Sequence, residues 1–114
     1  MQLPSLKNLV MESLADLKAL DPVILKVTEL TDVTDILVVV SGTSNRHVKA
    51  LAEGVCLKAK EHGIKPLGVE GVSVGDWVLV DFGDLILHVM LPSTREFYSL
   101  ESLWKDPEGR LVTD

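Results

Sequence analysis

Residues 36–40 form an unbroken apolar run, Ile36-Leu37-Val38-Val39-Val40. A strand with one wet face alternates apolar and polar side chains. A continuous run suits a central strand buried on both faces. The mostly polar stretch Glu29–Thr34 leads into this run, and Ser41-Gly42-Thr43-Ser44 leads out of it. Thr43 or Ser44 suits the N-cap of a following helix, because a short hydroxyl side chain accepts from a free backbone N–H in the first turn.

The flanking segments supply cover for such a strand. Leu6, Leu9, Val10, Leu14 and Leu17 recur at helical spacing and predict an amphipathic helix over about residues 5–20, ended by Asp21-Pro22. Val23 to Thr28 alternates as a strand does. Val48, Leu51, Ala52, Val55 and Ala59 make the inner face of the second helix, which His62-Gly63 stops. Ile64 to Val69 reads as a short strand, and Pro66 within it argues for a sheet edge. Two strands follow, Trp77 to Phe82 and Leu85 to Leu91, joined by a tight turn at Phe82-Gly83-Asp84. Pro92-Ser93-Thr94 can open a last short helix, Arg95 to Leu103. The order α-β-β-α-β-β-β-α predicts an α/β (α+β) fold, with a mixed sheet of about five strands flanked by helices.

At 114 residues the chain is expected to form one domain, residues 1–104, with 105–114 as a flexible tail. Seventeen acidic against eleven basic residues give a net charge of −6. That balance argues against broad phosphate contact and suits a basic partner, although modest negative charge also serves solubility alone. Cys56 is the sole cysteine, so no intrachain disulfide can form, and a half-buried apolar role fits it better than a reactive one. The N-terminus lacks signal-peptide and transit-peptide features, and no apolar stretch approaches membrane-spanning length. A cytoplasmic location is expected.

Few residue constellations suggest chemistry. The turn Gly42–His47 could hold an anion at a helix N-terminus, but it lacks the longer glycine pattern of phosphate loops, and a tight strand-to-helix turn explains it better. Asp76, Asp81 and Asp84 crowd one hairpin. Asp76 and Asp81 should face opposite sides of the sheet, and Asp84 is ordinary turn chemistry. His47, His62 and His88 have no metal-ligand spacing. No catalytic nucleophile set, paired acid and base, metal site or cofactor site is recognised.

All five aromatic residues lie late in the chain, at Trp77, Phe82, Phe97, Tyr98 and Trp104. This places either the densest core or a docking surface there. Leu85, Leu87, Val89 and Leu91 share one strand face, which is core. Ile86, His88 and Met90 share the other, which is less polar than a solvated face needs. A covering helix and a second protein both satisfy it.

The chain resembles the ribosomal silencing factor (RsfS/Iojap) family. The resemblance rests on Thr34-Asp35, Gly42-Thr43-Ser44-Asn45-Arg46-His47, Gly68-Val69-Glu70-Gly71, the hairpin Asp76–Met90, Arg95-Glu96-Phe97-Tyr98 and Leu100–Trp104. Phe82 stands where tyrosine is common, and Met90 where phenylalanine is common. Residues after Trp104 look particular to this chain and are assigned no role. The resemblance implies a translational repressor, not an enzyme, that docks on large-subunit protein fourteen and blocks joining of the small subunit under nutrient limitation. It implies a homodimer in isolation; no membrane partner is expected from the hydropathy, and no strong nucleic-acid partner from the acidic balance. For such a docking module the hairpin and last helix are expected to form the contact surface, with Trp77, His88, Met90 and Tyr98 as anchors and Asp81, Asp84 and Glu101 as acidic contacts. The family's fold is nucleotidyltransferase-like. The paired carboxylates of those enzymes are missing here, since the next aspartate after Gly42-Thr43-Ser44 is Asp76. A small nucleotidyltransferase-like enzyme and a homodimeric scaffold for another partner stand as the alternatives.

Overall fold

A computed structural model describes residues 2–104. The expected tail lies outside them. Helix α1 (Leu3–Asp16) is followed by strands β1 (Leu20–Lys26) and β2 (Ile36–Ser41), helix α2 (Asn45–Glu61), and strands β3 (Gly68–Glu70), β4 (Trp77–Asp81) and β5 (Leu85–Met90). A short helix α3 (Pro92–Tyr98) and a 3₁₀ turn (Leu100–Leu103) close the described chain. Among the described residues the sheet has five strands, in the order β1-β2-β5-β4-β3. β2 runs parallel to β5, and the other neighbours are antiparallel. The expected mixed sheet is therefore present.

β2 is interior, and all six of its residues are buried. Ile36, Val38 and Val40 meet Leu9, Val10 and Leu14 of α1 and Val48, Leu51 and Val55 of α2 in the larger core. Leu37 and Val39 enter a second cluster with Leu25, Val27 and Met90, against which Leu100 and Trp104 pack. The apolar run thus has cover on both faces, from helices on one side and from Leu100 and Trp104 on the other. No helix among the described residues is long and apolar enough to cross a membrane.

Several boundaries differ from the sequence reading, among them β1, expected over Val23–Thr28 and found over Leu20–Lys26. The first helix ends at Asp16, and Leu20 already pairs with Ser41 in β1. The stop is a left-handed Lys18 (φ 60°). Lys18 N–H donates to Ala15 O and Ala19 N–H to Leu14 O, a Schellman closure that glycine usually makes. Gly63 makes the same closure after α2, with Gly63 N–H to Lys60 O and Ile64 N–H to Ala59 O. The second stop carries a glycine signal; the first does not. Asp21-Pro22 instead occupies a register shift in β1, where a proline costs no ladder bond. The strand expected from Ile64 is only Gly68–Glu70, with Pro66 outside it, although it does lie at the edge. The last helix breaks at Ser99, which is left-handed (φ 46°).

Candidate docking surface

Residues paired across strands point to the same sheet face. Trp77 pairs with Met90, Leu79 with His88, and Asp81 with Ile86. In the next register Val39 lies beside His88 and Leu37 beside Ile86. Glu70 of β3 faces Leu79. One surface therefore carries Trp77, Leu79, Asp81, Ile86, His88 and Glu70, opposite to α1 and α2.

Aromatic side chains climb from this surface toward solvent. Trp77 Nε1 donates to His88 Nδ1 at 2.9 Å, with ring centroids 5.9 Å apart. Tyr98 lies 4.9 Å from Trp77, and Phe97 meets Tyr98 edge-on at 5.0 Å. Exposure rises along the series, from 7% at His88 to 54% at Tyr98 and 81% at Phe97. A depression of about 340 Å³ beside Trp77 is lined by Glu70, Gly71, Trp77 and Leu79.

His88 is neutral. Burial pushes its pKa from 6.5 down to about 4. Because Nδ1 accepts from the indole, the ring proton sits on Nε2. The unfolded chain takes up a proton near pH 6.5, and the folded chain does not. Stability is therefore full above pH 6.5 and falls as the pH drops toward 4. We expect a loss of about 2 kcal/mol between pH 7 and pH 5. Urea melts at the two pH values measure it. In His88→Gln, whose side-chain carbonyl still accepts from Trp77, that pH-dependent loss should disappear.

The acidic candidates divide. Asp81 is half-buried, and its Oδ1 accepts from Gly83 N–H at 2.7 Å, which fixes the turn. Asp84 is exposed, while its backbone oxygen accepts from Asp35 N–H and Ile36 N–H at the start of β2. Glu101 is engaged elsewhere. Arg95 Nε and Nη2 donate to its two oxygens at 3.3 and 3.4 Å, and Arg95 Nη1 donates to Ser41 Oγ at 3.1 Å. This fork pins the last turn to the end of β2, so Glu101 is a brace for the C-terminal segment and not a free acidic contact. Met90 is fully buried. It sits across the hairpin from Trp77, which packs against its cluster, and presents no surface in this conformation. Trp104 packs against the second cluster, and its buried Nε1 has no hydrogen-bond partner among the described residues. Leu79, Glu70 and Phe97 belong to the surface although the sequence reading did not select them. The strand alternation around Leu79 carried the signal for that residue.

The turn at Gly42 serves packing. Ser44 is the N-cap of α2, its Oγ accepting from His47 N–H at 3.1 Å. Thr43 N–H donates to His47 Nδ1 at 2.8 Å, and His47 Nε2 donates to Leu17 O at 2.8 Å. A Cβ at Gly42 would lie 2.9 Å from Val48 N. The amides of Gly42, Thr43 and His47 are thus already engaged. Among the described residues, no group of three or more His, Cys, Asp or Glu is placed to hold a metal ion.

Residues 1–113 match the family model described as ribosomal silencing factor during starvation. That match extends past Trp104, so the final residues are less particular to this chain than the motifs suggest. The ribosomal silencing factor RsfS of Chromobacterium violaceum is 44% identical over 104 residues, covering 91% of this chain and 85% of that protein. The Haemophilus influenzae protein of the same name is 38% identical over 100 residues, covering 88% and 98%. A crystal structure of a Chromobacterium violaceum protein superposes with a TM-score of 0.89 at 43% identity, covering 94% of this chain and 91% of that one.

Proposed function

Since the chain belongs to the family of ribosomal silencing factors, we propose that it docks on the large ribosomal subunit and keeps the small subunit from joining. The partner is a basic protein of the subunit interface, large-subunit protein fourteen. The repression operates in the cytoplasm under nutrient limitation, and the free protein is a homodimer. The effect is steric, with no reaction catalysed. The engaged amides at Thr43 and His47 weigh against a nucleotide site in the Gly42 turn.

The observation that carries this reading is the stepped aromatic series His88, Trp77, Tyr98, Phe97 on a sheet face that also carries Glu70 and Asp81. Aromatic anchors with a polar rim are how protein interfaces concentrate binding energy. In this role Trp77, Tyr98 and Phe97 make direct contact, and Asp81, Asp84 and Glu70 face the basic partner. His88 orients the Trp77 indole, and Met90 and Glu101 support the surface from behind.

Sedimentation of the purified protein with isolated large and small subunits tests the docking step. Co-sedimentation with large subunits alone, weakening as salt is raised, is the expected result. Failure to sediment with large subunits at low salt would refute it.

A further inference from the structure

We propose a second docking site, the groove between α2 and the edge strand β3, which takes a short extended acidic-apolar peptide by strand addition. The inference does not rest on the docking surface described above, because the groove lies on the other side of the sheet. Val69 pairs with Val80, a core residue beneath the helices, whereas Glu70 points to the opposite face with Leu79.

The groove encloses about 440 Å³, within the range of specific binding pockets. Ala52, Cys56, Leu57, Ile64, Val69 and Val72 give it an apolar lining. Leu57 is 64% exposed in the middle of α2, where an amphipathic helix ordinarily carries a polar side chain. Among the described residues β3 ends the sheet, and none of them pairs with its outer edge. A helix set alongside a free strand edge, with an apolar trough between, is the arrangement that binds extended peptides by main-chain pairing. Alternate side chains of an added strand would share the parity of Val69 and lie against α2.

Charge selects the occupant. Lys60 and Lys65 line the groove with one carboxylate, Glu53. Among the described residues, no carboxylate lies within ion-pair distance of either ammonium. Two unpaired lysines beside an apolar trough on a chain of net charge −6 suit an apolar side chain flanked by acidic ones. A second copy pairing through β3 would bring the Lys65-Pro66 approach to the same place, with the wrong charge and without a donor N–H at the proline.

The test titrates the ¹⁵N-labelled full chain with an acetylated octapeptide that alternates valine and aspartate. The expected result is saturable shifts confined to residues 52–72 with Kd below about 1 mM. Leu57→Glu and the pair Lys60→Glu, Lys65→Glu should each weaken binding at least about tenfold. All three side chains lie at the surface, so the fold should persist, and large-subunit co-sedimentation should be unchanged. A backbone N-methylated peptide should not bind. The proposal is overturned by absence of saturation at millimolar peptide, or by equal binding of the N-methylated or lysine-for-aspartate peptide. Shifts that arise on concentrating the protein alone and are unaffected by peptide would also overturn it, assigning the groove to a second copy.

Discussion

Phe97→Lys combined with Tyr98→Lys should abolish large-subunit binding at concentrations that saturate the parent protein, with the fold intact. Phe97 is 81% exposed and Tyr98 54%, so neither contributes much buried area within the chain. The cost to folding is chiefly the Tyr98–Trp77 ring contact at 4.9 Å, worth about 1 kcal/mol. At a docked interface the balance is different. An aromatic anchor typically carries about 2 kcal/mol or more, and each lysine adds repulsion against a basic partner. A combined loss of about 3–4 kcal/mol lowers affinity by two orders of magnitude or more. Quantitative co-sedimentation, with thermal melting as the control for folding, measures both terms. Retained binding by a folded double variant would remove these residues from the contact.

Gly71→Ala should be the most damaging single methyl addition near the surface. Gly71 is left-handed (φ 89°), and a Cβ there would stand 2.1 Å from the backbone oxygen of Trp77. Neither atom is at the end of a flexible side chain, so backbone must move. Conformational strain and overpacking together should cost about 3–4 kcal/mol. For a domain of this size that is a fall in Tm of roughly ten degrees or more. Because Gly71 also lines the depression beside Trp77, the strain enters at the base of the aromatic series, and docking should weaken in any fraction that folds. Gly63→Ala is the comparison. Gly63 is also left-handed (φ 74°) but has no heavy atom within 4 Å of its added Cβ. It should lose only the conformational part, about 1 kcal/mol. Equal losses in the two variants would show that the contact with Trp77 O carries no weight.

Much of the framework was legible because its signals are local. The run Ile36–Val40 demanded cover on both faces and has it. Ser44 capped α2, and Gly63 ended it. The period-two pattern in β5 separated Leu85, Leu87 and Val89 from Ile86, His88 and Met90, and the structure keeps that division. What failed to show in the sequence depended on partners far along the chain or on backbone that the residue type does not announce. Lys18 adopts a conformation associated with glycine, so α1 stopped early without a glycine to mark it. Ser99 broke the last helix in the same way. His47 showed only a lack of metal-ligand spacing, yet it ties Thr43 to Leu17, thirty residues before it in the chain.

The same division holds for the candidate surface. Sequence parity placed Trp77, Asp81 and His88 on one side of the hairpin once the register was known. It could not tell which aromatic residues turn back as cover. Trp104 and Leu100 fold onto Leu37, Val39 and Met90, whereas Phe97 and Tyr98 remain outside. The fork from Arg95 to Glu101 and Ser41 helps set that path, and it joins residues from the last turn, α3 and β2. The question left open by the aromatic cluster thus has a divided answer. Trp104 is partly buried against the core, Phe97 and Tyr98 are exposed, and Trp77 joins the two.

The most direct measurement is subunit joining followed by light scattering, with large subunits preincubated with the protein before small subunits are added. The account predicts dose-dependent loss of joined ribosomes, with no consumption of nucleotide and no loss when the Phe97→Lys, Tyr98→Lys variant replaces the parent. Undiminished joining by large subunits saturated with the protein would contradict silencing by occlusion.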